Sequence, residues 1–207
     1  MSLSRSSRAP DRYVRALERI DAAHAQDPTQ EVVKGESGEG EELPAELVYA
    51  RRMSAWLDRI EPDASEELRL AVRCQHLRRW TIPREGFPRD RRGYLAWRNA
   101  AKKMHAEVAG ELLAEVGYGP EEIQRVQDLV LKRRFKADPE AQTLEDVVCV
   151  VFLESYFADF APQYDEEKVL TILRKTWGKM SPRGHQAALG LDLPEAARGL
   201  VAKALGG

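Results

Sequence analysis

Apolar positions recur with a helical period along most of the chain. From Pro10 to Pro28, Tyr13, Val14, Leu17 and Ile20 fall on one stripe, and Asp27-Pro28 ends it. The period is then lost in "VVKGESGEGEELP", a Gly- and Glu-rich run read as a flexible acidic loop near residues 32–43. Pro44 opens a second helix, "AELVYARRMSAWLDRI", and Ser65 caps a third, "ASEELRLAVRCQHLRRW". A connector rich in Pro, Gly and Arg, "TIPREGFPRDRRGY", leads to a fourth, "LAWRNAAKKMHAEVAGELLAEVG", stopped by Gly117. The fifth, "PEEIQRVQDLVLKRRF", has Pro at its first turn and Glu behind it, which suits the free N–H groups of a helix start. The sixth contains the most apolar run of the chain, "TLEDVVCVVFLESYF". Asp165 caps a seventh, "DEEKVLTILRKTWGKM", and the remainder holds at least one short helix. No alternating strand and no internal repeat is found. The pattern predicts an all-α fold: a compact multi-helix single domain over residues 11–207, preceded by a disordered tail at residues 1–10.

Three polar residues fall on these apolar stripes. His76 lies four residues after Val72 and eight after Leu68. His105 lies three, four and seven residues before Val108, Ala109 and Leu112, and Asp146 four and seven before Val150 and Leu153. Each can ligate a metal or move a proton, and burying each unpaired costs about 1–3 kcal/mol. They are therefore expected to meet partners, one another among them. A single inward histidine is more often a satisfied core residue. For Asp146 the rival reading is a helix start, because "TLED" has the capping-box form. An earlier start at Asp138, with Pro139 at the first position and Glu140 behind it, is preferred, and it places Asp146 two turns inside the helix.

"MHAEVAGELLAEVGYGPEEIQRVQDLVLKRR" and "LEDVVCVVFL" resemble parts of the HD metal-dependent phosphohydrolase superfamily. The resemblance sets His76 at the His of the His-Asp doublet, His105 at a later His and Asp146 at the final Asp. Leu77 stands where the doublet's Asp belongs, Tyr49 where the first His is expected, and Lys132 where another His is often found. "QHLRRWTIPREGFPRDRRGYLAWR", "QTLEDVVCVVFLE" and "RKTWGKMSPRGHQAALGL" are similar to the uncharacterised domain-of-unknown-function family 4202. The superfamily resemblance implies an HD-like helical core and one divalent metal ion held by His76, His105 and Asp146. It implies catalytic roles for Lys132 and Glu145, and a substrate hydrogen bond from Tyr49.

Composition narrows the partners. Charged residues are 32% of 207, but the net charge of −2 excludes a global polyanion-binding signature. No apolar run reaches the roughly 18–20 residues needed to cross a bilayer, and no signal-peptide pattern opens the chain. Cys74 and Cys149 form no framework, so two buried thiols in a cytoplasmic protein are expected. Locally, however, eleven Lys or Arg stand against three acids between Glu67 and Lys103, with Trp80, Phe87, Tyr94 and Trp97 interleaved. Arginine binds phosphate bidentately and stacks on aromatic faces. Arg78, Arg79 and Arg84 are thus candidate ligands of an anionic small molecule or nucleotide, with RNA a further class. Acids elsewhere could equally pair this segment. "SPRGH" reads as a helix-entry turn able to cradle an anion beside His185, against a plain reading in which Trp177 packs there. A di-iron centre from Glu107, Asp128, Glu145 and Glu154 lacks the usual Glu-x-x-His spacing.

Overall fold

Side-chain caps set many of the helix starts, as the sequence predicts. In the computed structural model, which describes residues 11–34 and 40–206, Ser65 Oγ accepts from Leu68 N, Asp138 from Glu140 N and Ala141 N, and Asp165 from Lys168 N. The expected tail at residues 1–10 lies outside the described residues. The chain forms a single, mostly α-helical domain: α1 (Arg12–His24), α2 (Ala45–Ile60), α3 (Glu66–Arg73), α4 (Arg91–Glu115), α5 (Pro120–Val130), α6 (Pro139–Ser155), α7 (Phe157–Phe160), α8 (Glu166–Trp177), α9 (Pro182–Leu189) and α10 (Glu195–Leu205). No helix among the described residues is long and apolar enough to cross a membrane.

The apolar run of α6 is the axis of the core. Leu144, Val147, Val150 and Val151 are fully buried, and α6 packs against α2 and α9. Burial of each such side chain contributes about 1.5–3 kcal/mol, as an upper bound. On α1 the buried face is Ala16, Ile20 and Ala23, flanked by Tyr13 and Leu17; Val14, expected on the same stripe, is exposed.

Part of the expected acidic loop is a hairpin. Strand β1 (Gln30–Lys34) pairs antiparallel with β2 (Gly40–Pro44), Gln30 opposite Pro44. Side-chain alternation does not announce it; its feet are tied by Asp27. That buried carboxylate accepts from Thr29 N through one oxygen and from Glu46 N through the other, both at 3.0 Å. Ala45 N donates to Thr29 O and closes the base.

Two helices stop earlier than their apolar period suggests. Helix α3 ends at Arg73, whose guanidinium forks onto Asp21 of α1 at 2.7 and 2.8 Å. The chain then turns through His76 (φ 65°) and Arg78 (φ 52°) instead of continuing to Trp80. Helix α5 ends at Val130 instead of Phe135. Arg133 N reaches Asp128 O and Lys132 N reaches Leu129 O, a Schellman closure with Lys132 (φ 55°) in the left-handed position. Helix α4 closes the same way with Gly117 there. A side chain in that conformation costs about 1–2 kcal/mol that glycine avoids. Backbone strain of this kind concentrates at functional sites, and His76 and Lys132 both face one cavity.

Candidate functional site: a cationic cavity beneath helix α4

The two early helix endings open a cavity of about 570 Å³ between the start of α2, the 75–79 turn, α4, α6 and α8. His76 and His105 meet in it, their ring centroids 6.0 Å apart. The His76 ring stacks on Tyr49 at 4.2 Å with the planes 8° apart. Its Nδ1 lies 3.1 Å from Glu46 Oε2, and one Arg79 nitrogen lies 3.2 Å from each ring nitrogen. His105 is fixed differently: its Nδ1–H donates to the buried Leu77 carbonyl at 2.6 Å. A carbonyl only accepts, so the neutral imidazole keeps its lone pair on Nε2.

On the opposite wall Lys132 forms an ion pair with Glu145, the two side chains 11% and 7% exposed, and Lys179 approaches the second carboxylate oxygen at 3.5 Å. Tyr94 and Trp97 of α4 also line the cavity, their rings 5.9 Å apart, with the Arg79 guanidinium 5.0 Å from the Trp97 ring. Arg79, Arg98 and Lys102 also line the cavity, as does Glu31, which pairs with Arg52, and among the described residues none of the three cations has a carboxylate at salt-bridge distance.

Proton affinities follow from burial and crowded positive charge. Burial, then Arg79 and Lys132, hold His76 well below the ordinary imidazole value. Burial and His76 lower His105 to about 3. Burial raises Glu46 to about 7 despite Arg79 nearby. Burial, then Lys132 and Arg98, lower Lys102 to about 8. Burial acts to raise Glu145, but Lys132 and Lys179 outweigh it and hold it below the usual range. At neutral pH the site therefore holds uncharged imidazoles beside Arg79, Arg98 and Lys102.

The expected residues divide. Tyr49, His76, Arg79, His105, Lys132 and Glu145 come together in the cavity. Asp146 does not join them, although its place inside α6 with Asp138 as the cap is as expected. Its Oδ1 accepts from Ser181 N (2.8 Å) and Gln142 Nε2 (3.0 Å), and its Oδ2 from Ser181 Oγ (2.5 Å). The "SPRGH" turn does cradle an anion, and the anion is this carboxylate. A Cβ on Gly184 would lie 2.7 Å from Asp146 Cγ, so the close approach of α9 requires glycine. The three-residue metal set is thus not assembled, and among the described residues no group of three or more His, Cys, Asp or Glu is placed to hold a metal ion.

Other expectations are corrected by local bonds. Arg84 is pinned by the Phe87 and Pro88 carbonyls, at 2.9 and 2.7 Å, and Arg78 does not line the cavity. His185 stacks on Trp177 at 4.0 Å and donates to its carbonyl, outside the cavity. The di-iron candidates are dispersed: Glu107 pairs with Lys103, Asp128 with Arg133, and Glu154 accepts from Trp56 Nε1. Glu46 was not legible as a site residue. In sequence it is one acid in the first turn of a helix, and only the Asp27 tie and the left-handed turn at His76 bring it to the imidazole.

A family model described as "Domain of unknown function (DUF4202)" matches residues 14–201. No curated protein and no solved structure matches the chain.

Proposed function

The chain belongs to the DUF4202 family, whose function is undefined, and we propose from the cavity's own geometry that it binds a small phosphorylated ligand, a nucleotide being the best fit. One observation carries this reading: Arg79, Arg98 and Lys102 line a cavity with, among the described residues, no carboxylate at salt-bridge distance, beside the rings of Tyr94 and Trp97. Cations gathered in a partly desolvated space repel one another, and an anionic ligand relieves that repulsion. Charge-assisted bonds to phosphate are among the stronger hydrogen bonds, and aromatic walls suit a base or similar ring. A volume of about 570 Å³ fits a small ligand. The cations lie inside this space, which favours a nucleotide over an RNA strand. Two unpaired buried thiols, Cys74 and Cys149, suit a cytoplasmic setting.

The test is thermal unfolding with and without AMP at low ionic strength. At a ligand concentration about 100 times Kd the expected stabilisation is about 2.7 kcal/mol. It should shrink as salt is raised, need no divalent cation, and fall to about half or less in Arg79→Ala. No shift with millimolar AMP, or an equal shift in the variant, contradicts the proposal.

Metal-assisted phosphohydrolysis of the HD type is the second reading, favoured by His76 and His105 facing one cavity. With Asp146 engaged by Ser181, a metal would draw on the two imidazoles and on ligands outside the expected set. This reading predicts stabilisation by Mn²⁺ alone that is lost in His76→Ala.

A further inference from the structure

His105 has one ring nitrogen committed to the backbone and the other, among the described residues, without a hydrogen-bond partner. Leu77, whose carbonyl takes the Nδ1–H, lies between two left-handed residues, His76 and Arg78, so the acceptor belongs to the strained turn itself. Among the described residues no protein group bonds His105 Nε2, although the residue lines the cavity. An oriented lone pair thus faces the space in which Arg79, Arg98 and Lys102 would hold a phosphate.

We infer that His105 is a nucleophile for phosphoryl transfer, its Nε2 taking the phosphoryl group from a phosphate monoester bound in the cavity. This rests on the anion-binding reading above and adds chemistry to it. In the first step the Nε2 lone pair forms an N–P bond while the P–O bond to the leaving group breaks. The electron pair departs with the leaving oxygen, which takes a proton if it is strongly basic. Positive charge develops on the ring, and the Leu77 carbonyl accepting the Nδ1–H stabilises it. In the second step a water oxygen forms a new P–O bond. The N–P pair returns to Nε2, phosphate is released, and the water's proton leaves to a nearby base or to solvent. Glu46, hydrogen-bonded to His76 at 3.1 Å and lining the same cavity, is the carboxyl placed to carry the proton in both steps. Burial keeps the attacking imidazole unprotonated at neutral pH and leaves Glu46 able to give or take a proton there.

The experiment is a single-turnover reaction of the full chain with p-nitrophenyl phosphate, whose ring can lie against Tyr94 or Trp97. The reaction is quenched in alkali, which preserves phosphohistidine, and the label is mapped by peptide mass spectrometry. Ligand-induced thermal stabilisation is measured on the same samples. The expected result is one acid-labile phosphoryl group on the peptide carrying His105, released with p-nitrophenolate. It should be absent in His105→Asn, whose stabilisation by inorganic phosphate shows that it is folded, and retained in His185→Asn. Mapping in the unsubstituted protein decides the question even if the variant does not fold. Stabilisation without any label overturns the nucleophile and leaves the binding site standing. So does p-nitrophenol release with His105 unlabelled, or a label on another residue. Absence of both stabilisation and label overturns the nucleophile and the binding reading together.

Discussion

Glu145 and Asp146 are neighbours on α6, about 100° apart around its axis, and they serve opposite ends of the molecule's chemistry. Glu145 faces the cavity and is held by two flexible lysines, Lys132 and Lys179. Asp146 faces α9 and is held by the backbone and hydroxyl of Ser181 and by the Gln142 amide. Both are buried, 6% and 2% exposed, so burial alone does not separate a site residue from a structural one. The partners do. Asp146 is satisfied by groups of fixed geometry that seat the start of α9, an arrangement that leaves no room for a ligand. Glu145 neutralises some of the charge in a cavity where, among the described residues, Arg79, Arg98 and Lys102 have no carboxylate at salt-bridge distance. The contrast predicts that loss of either carboxylate destabilises the fold, while only loss of Glu145 changes anion binding.

The largest effect is expected at Glu145. Glu145→Ala leaves Lys132 buried without its partner and should cost about 3–5 kcal/mol, read from the urea midpoint. Part of the loss should return in Glu145→Ala with Lys132→Met. Any Glu145→Ala protein that stays folded should bind AMP more tightly, because a competing negative charge has gone. Weaker binding would contradict the contrast.

Asp146→Ala should follow at about 2–3 kcal/mol, since it strips Ser181 N and Oγ of a charged acceptor. Its stabilisation by AMP, measured as an increment over the variant's own melting point, should match the unsubstituted protein. A lost increment would return Asp146 to the cavity chemistry. Gly184→Ala probes the same seam independently, and overpacking against Asp146 should cost about 1–3 kcal/mol.

Arg79→Ala comes next. It should leave the midpoint nearly unchanged but weaken AMP binding about tenfold or more, the value of a charge-assisted bond of about 1.5–3 kcal/mol. Titration calorimetry at low salt checks it, and unchanged affinity would remove Arg79 from the site.

The smallest effect is a pH dependence. Glu46 is raised from an ordinary 4.5 to about 7, so the folded state binds the extra proton and stability falls as pH rises between those values. His105 is lowered from 6.5 to about 3, so its contribution has the opposite sign: stability rises with pH until about 6.5. His76 and His24, also lowered by burial, act in the same direction as His105, so the histidines oppose Glu46 up to about pH 6.5. Urea midpoints at pH 6 and 8 should therefore rise more with pH in Glu46→Gln than in the unsubstituted protein. An identical pH change in both proteins would place the Glu46 titration elsewhere.

The sequence made the regular parts of this arrangement legible and hid the irregular ones. The Ser65, Asp138 and Asp165 caps, the apolar stripe of α6 and the inward placing of His105 all follow from local patterns, because caps and periods are properties of a few adjacent residues. The meeting of His76 and His105 was expected, but not its cause. The apolar period carries the helix through His76, whereas the residue sits in a left-handed turn beyond α3. Nothing local marks Lys132 as a helix stop where Gly117 plainly is one; tertiary pairing with Glu145 favours the strained conformation. The hairpin depends on Asp27 bridging residues on both sides of it, a long-range bond that no alternation of side chains reveals. The Asp138 cap places Asp146 inside α6, yet its Ser181 partner comes only from the packing of α9.

A crystal structure of the protein grown with AMP tests the binding site most directly. The account predicts the phosphate inside the cavity, within hydrogen-bonding distance of Arg79 and Arg98 or Lys102, with the base against Trp97 or Tyr94. Nucleotide bound on another surface, or a cavity holding none at saturating concentration, would contradict it.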